Sequence, residues 1–138
     1  MRQAVQLGFA IEPRTFRAIR DLAPRVAAVA SERVRAELLK LLRHGRGRGL
    51  RLLAAAGLLP YVLPEVEAMR GVSQPPRFHP EGDVFVHTCL VLDGLGPLGD
   101  LAEEEADDLL LSALLHDVAK PVTRTVDPDG RIRFNGHD

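Results

Sequence analysis

The 138-residue chain is 46% hydrophobic but only 4% aromatic, and it contains no Trp. This composition excludes a disordered protein and favours helices with a core of Leu, Val and Ala. The single cysteine, Cys89, excludes an intramolecular disulfide, and no stretch approaches the roughly 20 apolar residues of a membrane span. We therefore expect a cytoplasmic protein with no membrane partner.

The net charge of −1 conceals an asymmetry along the chain. Residues 1–60 carry 12 Lys and Arg against 4 Asp and Glu, whereas residues 61–138 carry 6 against 15. A basic first part attracts polyanions, and an acidic second part can hold cations. Chance clustering on solvated helix faces is the simpler alternative.

Helical periodicity dominates the first half. A helix is predicted over residues 13–23, a short second helix over 25–30, and a third helix with Ser31 as its N-cap. Gly45 is predicted to cap this third helix in the left-handed conformation. The glycine-arginine segment (residues 45–49) is predicted to be a flexible basic loop. The more specific alternative is that its arginines contact RNA phosphates. A short helix over 50–56 should then end at Gly57. The buried stripe of the third helix is predicted to consist of Val34, Leu38, Leu41 and Leu42.

Residues 71–80 contain Pro75-Pro76 and are predicted to form a linker or long loop, where we place a domain boundary. Asp83 is a predicted N-cap for a helix over 84–95. The acidic run at 103–108 favours the start of a helix that continues to His116-Asp117. Two apolar-polar stretches, 123–126 and 131–134, flank a turn with glycine and predict a β-hairpin.

Chemistry-bearing residues gather in the second half. His87, the adjacent pair His116-Asp117, and His137 lie where helices could bring them together. Mixed imidazole and carboxylate ligands suit Mn²⁺, Fe²⁺, Co²⁺, Ni²⁺ or Zn²⁺, and such an ion polarises a phosphoryl oxygen. A buried polar cluster satisfied by hydrogen bonds is the alternative. His79 is predicted to support its loop.

One spaced pattern and five segments carry a family resemblance. The pattern His87…His116-Asp117 resembles the H…HD part of the HD phosphohydrolase superfamily, and LLHDVAKP (residues 114–121) is similar to its signature with the following lysine. FHPEGDVFVHT (78–88) and FNGHD (134–138) resemble the entry and the later His motif of the HD domain in tRNA nucleotidyltransferases. QLGFAIEPRTFRAIRDLAP (6–24) and SERVRAELLKLL (31–42) resemble the neck and body of the same proteins. The chain is thus similar, over nearly its whole length, to the class II bacterial tRNA nucleotidyltransferase/poly(A) polymerase family.

The resemblance implies an all-α fold with one small hairpin. Residues 1–70 would be the RNA-side neck and body, and residues 71–138 the N-terminal part of a truncated HD domain. The parent protein would add nucleotides to the 3′ end of tRNA or another RNA. No carboxylate motif of the family's catalytic head stands in this chain, so nucleotides would bind through a head outside it. Arg33 and Glu37 would organise the nucleotide-binding helices.

For the HD domain, the resemblance implies that His87, His116 and Asp117 are three ligands of a divalent metal. The metal is left open among Mn, Mg, Ni, Co, Fe and Zn, and the later Asp ligand of the superfamily is missing from the sequence. Asp117 would orient the attacking water, while Lys120 and His137 would steady the phosphate. Two alternatives stay open: a stand-alone HD metal phosphohydrolase, and a non-catalytic RNA-binding module.

Overall fold

The computed structural model describes residues 1–136 and is mostly helical with one two-stranded antiparallel sheet, which confirms the predicted fold class. Within these residues, no helix combines the length and apolar character that crossing a membrane requires. The helices are α1 (Arg2–Leu7), α2 (Pro13–Leu22), a 3₁₀ helix (Ala23–Ala28), α3 (Ser31–Ala55), α4 (Leu59–Val62), α5 (Pro64–Ala68), α6 (Val84–Gly94), α7 (Glu103–Leu115) and α8 (Lys120–Thr123), and the strands are β1 (Arg124–Val126) and β2 (Ile132–Phe134).

The N-terminal helices follow their local sequence signals with two corrections. Pro13 is the first residue of α2, and the Glu12 carboxylate accepts a hydrogen bond from the Thr15 backbone N–H at 2.8 Å. The short second helix is a 3₁₀ helix over Ala23–Ala28 rather than an α-helix. Ser31 is the first residue of α3 and Ala30 is the N-cap, with no side-chain hydrogen bond, so the predicted Ser31 cap is wrong.

The glycine-arginine segment is helical on both sides of a kink and is not a flexible loop. Two helical stretches, counted together as α3, meet at Arg46, where φ is 47° and ψ is −135°, so the predicted break between two helices lies within this segment. Gly45, Gly47 and Gly49 are buried, and a Cβ built on Gly47 would overlap the carbonyl oxygen of Cys89 in α6. Gly47 therefore permits the α6 backbone to approach closely, and the predicted flexible loop and left-handed Gly45 cap are wrong. Gly57, where the following helix was predicted to end, has a positive φ of 67°.

One continuous apolar core joins α1, α3, α6 and α7. Of the predicted α3 stripe, Leu41 and Leu42 are buried, whereas Val34 and Leu38 are half-buried. The core draws on residues from both predicted segments, and the division after residue 70 stays a prediction. The largest fully buried apolar side chains of the core are Leu42, Leu50, Leu59, Met69, Leu92, Leu110 and Leu114.

Caps and ion pairs fix the second half of the chain. The Asp83 carboxylate accepts from the Val86 N–H at 2.8 Å and starts α6, as predicted. Helix α7 begins in the acidic run and is joined to α3 by Arg43, which lies 2.7 Å from Asp107 and 2.5 Å from Glu103. The predicted hairpin is confirmed as β1 paired with β2, and it follows directly after α8.

Candidate metal centre and basic surface

The packing of α6 against α7 brings the predicted His and Asp residues together. His87 lies in the first turn of α6, while His116 is the C-cap of α7 and Asp117 follows it. The Nε2 atoms of His87 and His116 lie 3.8 and 3.1 Å from Asp117 Oδ2. The rings of the two histidines are 5.4 Å apart between centroids. The three side chains therefore lie together where the first turn of α6 meets the C-terminal end of α7.

A buried lysine occupies the inner side of this site. Lys120 is 6% exposed, and its ammonium lies 2.8 Å from Asp117 Oδ2 and donates to Gln74 Oε1 at 2.7 Å. The Phe134 ring centroid is 5.3 Å from the same ammonium. Because Asp117 is 4% exposed, this pairing offsets the cost of burying its charge.

A second carboxylate contacts His87 from the opposite side. Glu81 Oε1 lies 2.6 Å from His87 Nδ1 and 3.0 Å from His79 Nδ1. The hydrogen bond from the Glu81 backbone N–H, followed by that from His79, lowers the pKa of the Glu81 carboxyl to about 2. Glu81 is therefore ionised at neutral pH and accepts hydrogen bonds from both imidazoles.

The donor set of the inner cluster fits a divalent cation. Among the described residues, one ligand atom each from His87, His116 and Asp117 lie within 4.8 Å of one another. Ligands about 2.1 Å from an ion stand roughly 3.0–3.4 Å apart. The 3.1 Å distance from His116 Nε2 to Asp117 Oδ2 falls in this range, and the 3.8 Å distance from His87 Nε2 is slightly longer. Two imidazoles and a carboxylate suit Zn²⁺ and its first-row neighbours. A bound ion would either share Asp117 Oδ2 with the Lys120 ammonium or displace the ammonium from this oxygen.

The structure thus assembles four of the predicted site residues, namely His87, His116, Asp117 and Lys120. Metal binding and catalysis by them stay predictions. His137 lies outside the described residues. Two partners were not predicted. Glu81 stands in the quoted segment 78–88 but has no helical spacing to His87, and Gln74 lies 46 residues from Lys120 in sequence.

Arg33 and Glu37 are not paired with each other. Glu37 Oε2 accepts from Arg2 Nε at 2.8 Å, and this hydrogen bond lowers the pKa of the Glu37 carboxyl. Arg33 is exposed and lines a groove of about 330 Å³ together with Glu37 and apolar residues of α3. Their predicted role in organising nucleotide-binding helices remains a prediction.

Part of the basic first half stays available to a ligand. Arg14, Arg17 and Arg20 follow one exposed side of α2, and their guanidinium groups have no hydrogen-bond or ion-pair partner among residues 1–136. Arg46, in contrast, donates to the carbonyls of Leu95 and Gly96. A second groove, of about 410 Å³, is lined by Phe9, Ile11, Phe16, Arg48 and Arg51, among others.

Comparison with known proteins gives matches over most of the chain. The family described as "Probable RNA and SrmB- binding site of polymerase A" matches residues 8–70. The A-adding tRNA nucleotidyltransferase of Deinococcus radiodurans is 42% identical, over 99% of this chain and 32% of its own length. The CC-adding tRNA nucleotidyltransferase of Thermus thermophilus is 41% identical over the same shares. The multifunctional CCA protein of Methylococcus capsulatus is 40% identical, over 85% of this chain and 27% of its own length.

No solved structure matches the chain. The chain spans about a third of the length of the curated relatives that it matches.

Proposed function

Because the chain belongs to the tRNA nucleotidyltransferase/poly(A) polymerase family, we propose that it is the RNA-contacting segment of an enzyme that adds nucleotides to tRNA 3′ ends. The names of its relatives supply the substrate: they are A-adding, CC-adding or multifunctional CCA proteins. In this proposal, nucleotides are bound and transferred by a head outside these 138 residues, and the protein acts in the cytoplasm.

The observation that carries the RNA contact is the arginine stripe of α2, defined as Arg14, Arg17 and Arg20. All three side chains are exposed and have no partner within the described part of the chain. Their charge is therefore not neutralised within these residues, unlike that of Arg43 or Arg51, which form ion pairs. Guanidinium groups bind phosphate oxygens through paired N–H donors, so the stripe fits an RNA backbone.

The second groove suits an unpaired base. Phe9 is 65% exposed, and Phe16, which is on α2 like the stripe, lines this groove together with Phe9 and Arg48. Aromatic rings and guanidinium planes stack on bases with little regard to their identity. A single-stranded 3′ end could thus place its phosphates on the stripe and a base against Phe9.

Salt-dependent binding tests this proposal. Wild-type protein and the Arg14→Gln/Arg17→Gln/Arg20→Gln variant are titrated into fluorescent tRNA at several salt concentrations. We expect the triple variant to reduce the magnitude of the slope of log affinity against log salt by about 2–3, since each of the three lost phosphate contacts contributes about 0.7–0.9. Arg131→Gln, an exposed arginine on the acidic half, is the matched control and should leave the slope unchanged. Equal slopes for the triple variant and wild type would contradict the proposal.

The HD-type site is the second component. His87, His116 and Asp117 would hold a divalent ion, which would act there as a Lewis acid toward a phosphate ester. Lys120 supplies a point charge for the phosphate, and the buried position of Asp117 keeps its carboxylate fixed. The proposed substrates are 2′,3′-cyclic phosphates or phosphomonoesters. A stand-alone phosphohydrolase would use the same residues.

A non-catalytic RNA-binding module is the competing function, and one observation favours it. The Lys120 ammonium already neutralises Asp117 Oδ2 at 2.8 Å, so the site has an internal cation. Two assays distinguish the phosphohydrolase from the RNA-binding module: metal analysis of the purified protein and hydrolysis of 2′,3′-cyclic AMP. Asp117→Ala is the control in both. Bound metal and turnover that are lost in the variant support the phosphohydrolase. RNA binding without either supports the module.

A further inference from the structure

The geometry points to Glu81 as a positioning residue that keeps the proton of His87 on Nδ1 and leaves the Nε2 lone pair facing Asp117. The inference rests on the proposed metal site, because it concerns how that site holds one of its ligands. It adds a residue to which neither the family resemblance nor the comparisons give a role.

The chemistry of the two groups determines the direction of the hydrogen bond. An ionised carboxylate only accepts hydrogen bonds, so the 2.6 Å contact between Glu81 Oε1 and His87 Nδ1 requires a proton on Nδ1. A neutral imidazole with that proton carries its lone pair on Nε2. That atom lies 3.8 Å from Asp117 Oδ2, on the side of the proposed ion. Metal-binding histidines are oriented in this way by carboxylates that accept from the other ring nitrogen.

A separate ion held by His79, Glu81 and His87 is the rival explanation for the same cluster, since their ligand atoms also lie within 4.8 Å of one another. The distances favour hydrogen bonds. Two ligands about 2.1 Å from one ion stand roughly 3.0–3.4 Å apart. The 2.6 Å contact of Glu81 Oε1 with His87 is shorter than this range and has the length of a charge-assisted hydrogen bond, while the 3.0 Å contact with His79 is an ordinary hydrogen-bond length.

His79 has a supporting part in this arrangement. Its ring stands edge-on to that of His87, with centroids 4.7 Å apart and planes at 80°. Its Nδ1 shares the same Glu81 oxygen, so it helps to hold the carboxylate in place. The hydrogen bond from His87 to Glu81 is a separate contact, so removing His79 should leave it intact.

The tautomer of His87 can be measured without any metal. Long-range ¹H–¹⁵N correlation spectra of the metal-free, ¹⁵N-labelled chain at pH 8 distinguish a protonated ring nitrogen from an unprotonated one. We expect His87 to carry its proton on Nδ1 in the wild type and to shift toward the Nε2–H form in Glu81→Leu, which removes the acceptor oxygen that an amide would keep. Glu104→Leu makes the same chemical change at an exposed glutamate of α7 and should leave the spectrum unchanged. A wild-type His87 protonated on Nε2, or no shift in Glu81→Leu, overturns the inference.

Metal titration of the same proteins provides the second readout. Loss of a carboxylate behind a metal ligand lowers affinity about 10–100-fold, so Glu81→Leu should bind Mn²⁺ or Zn²⁺ that much more weakly. His79→Phe should bind within about threefold of wild type. Two ions per wild-type chain, with one lost in both Glu81→Leu and His79→Phe, would overturn the inference in favour of a separate ion. If the wild type binds no metal but the tautomer shift occurs, the role of Glu81 stands and the proposed metal site fails.

Discussion

Substitution of Gly47 by Ala tests whether the glycine-arginine segment is a packed crossing or a loop. A Cβ on Gly47 would overlap the carbonyl oxygen of Cys89 and lie 2.8 Å from Asp93 Oδ2. The carbonyl is part of the α6 backbone, so it cannot rotate away as a side chain could. Helices α3 and α6 would have to separate, and both contribute to the apolar core.

The expected loss follows from two opposing terms. Alanine is favoured over glycine in a helix interior by about 1 kcal/mol. Overpacking costs about 1–3 kcal/mol, and it tends to the upper end when backbone must move. We therefore expect Gly47→Ala to lower the free energy of unfolding by about 1–2 kcal/mol, measured by urea titration with helical circular dichroism.

Two glycines provide matched controls. A Cβ on Gly94, the last residue of α6, would meet nothing within 4 Å, so Gly94→Ala should be neutral or slightly stabilising. A Cβ on Gly45 would lie 2.5 Å from a methyl group of Val5, which can shift, so Gly45→Ala should fall between the two. Gly47→Ala as stable as Gly94→Ala would refute the close crossing of α3 and α6.

Three further predictions concern single side chains. Arg46→Gly and Arg46→Ala both lose the hydrogen bonds to the carbonyls of Leu95 and Gly96, just after α6. Because glycine tolerates φ 47°, the glycine variant should be about 1 kcal/mol more stable in urea unfolding. The hydrogen bond from Arg43 lowers the pKa of the Glu103 carboxyl. The stability advantage of wild type over Glu103→Gln should therefore be full above pH 4.5 and disappear as the pH falls through that lowered pKa; equal stability at pH 7 would contradict this. Burial raises the pKa of the Cys89 thiol to about 11, so its reaction with a thiol reagent at pH 8 should require unfolding; rapid reaction of the folded protein would contradict it.

Local signals predicted the elements whose determinants lie within a few residues of one another. Asp83 and the acidic run at 103–108 marked the starts of α6 and α7, and the glycine turn marked the hairpin. The glycine-arginine segment was predicted wrongly because the role of Gly47 depends on Cys89, a neighbour from another helix. Sequence near a glycine does not reveal whether it turns the chain or admits another backbone.

The candidate site was only partly predictable, because some of its contacts join residues from different parts of the chain. The family resemblance singled out His87, His116 and Asp117, and the packing of two helices brings them together. The burial of Lys120 was not predictable, since it depends on Gln74 from a distant loop. Glu81 was overlooked because its contact with His87 spans the turn that precedes α6 rather than one helix face.

Anomalous diffraction from crystals soaked in Mn²⁺ tests the central claim most directly, because it locates the ion rather than its effects. The account predicts one strong peak between His87 Nε2, His116 Nε2 and Asp117 Oδ2, which is lost in crystals of Asp117→Ala. A peak only elsewhere, or an unchanged Lys120–Asp117 contact with no ion beside it at saturating Mn²⁺, would contradict it.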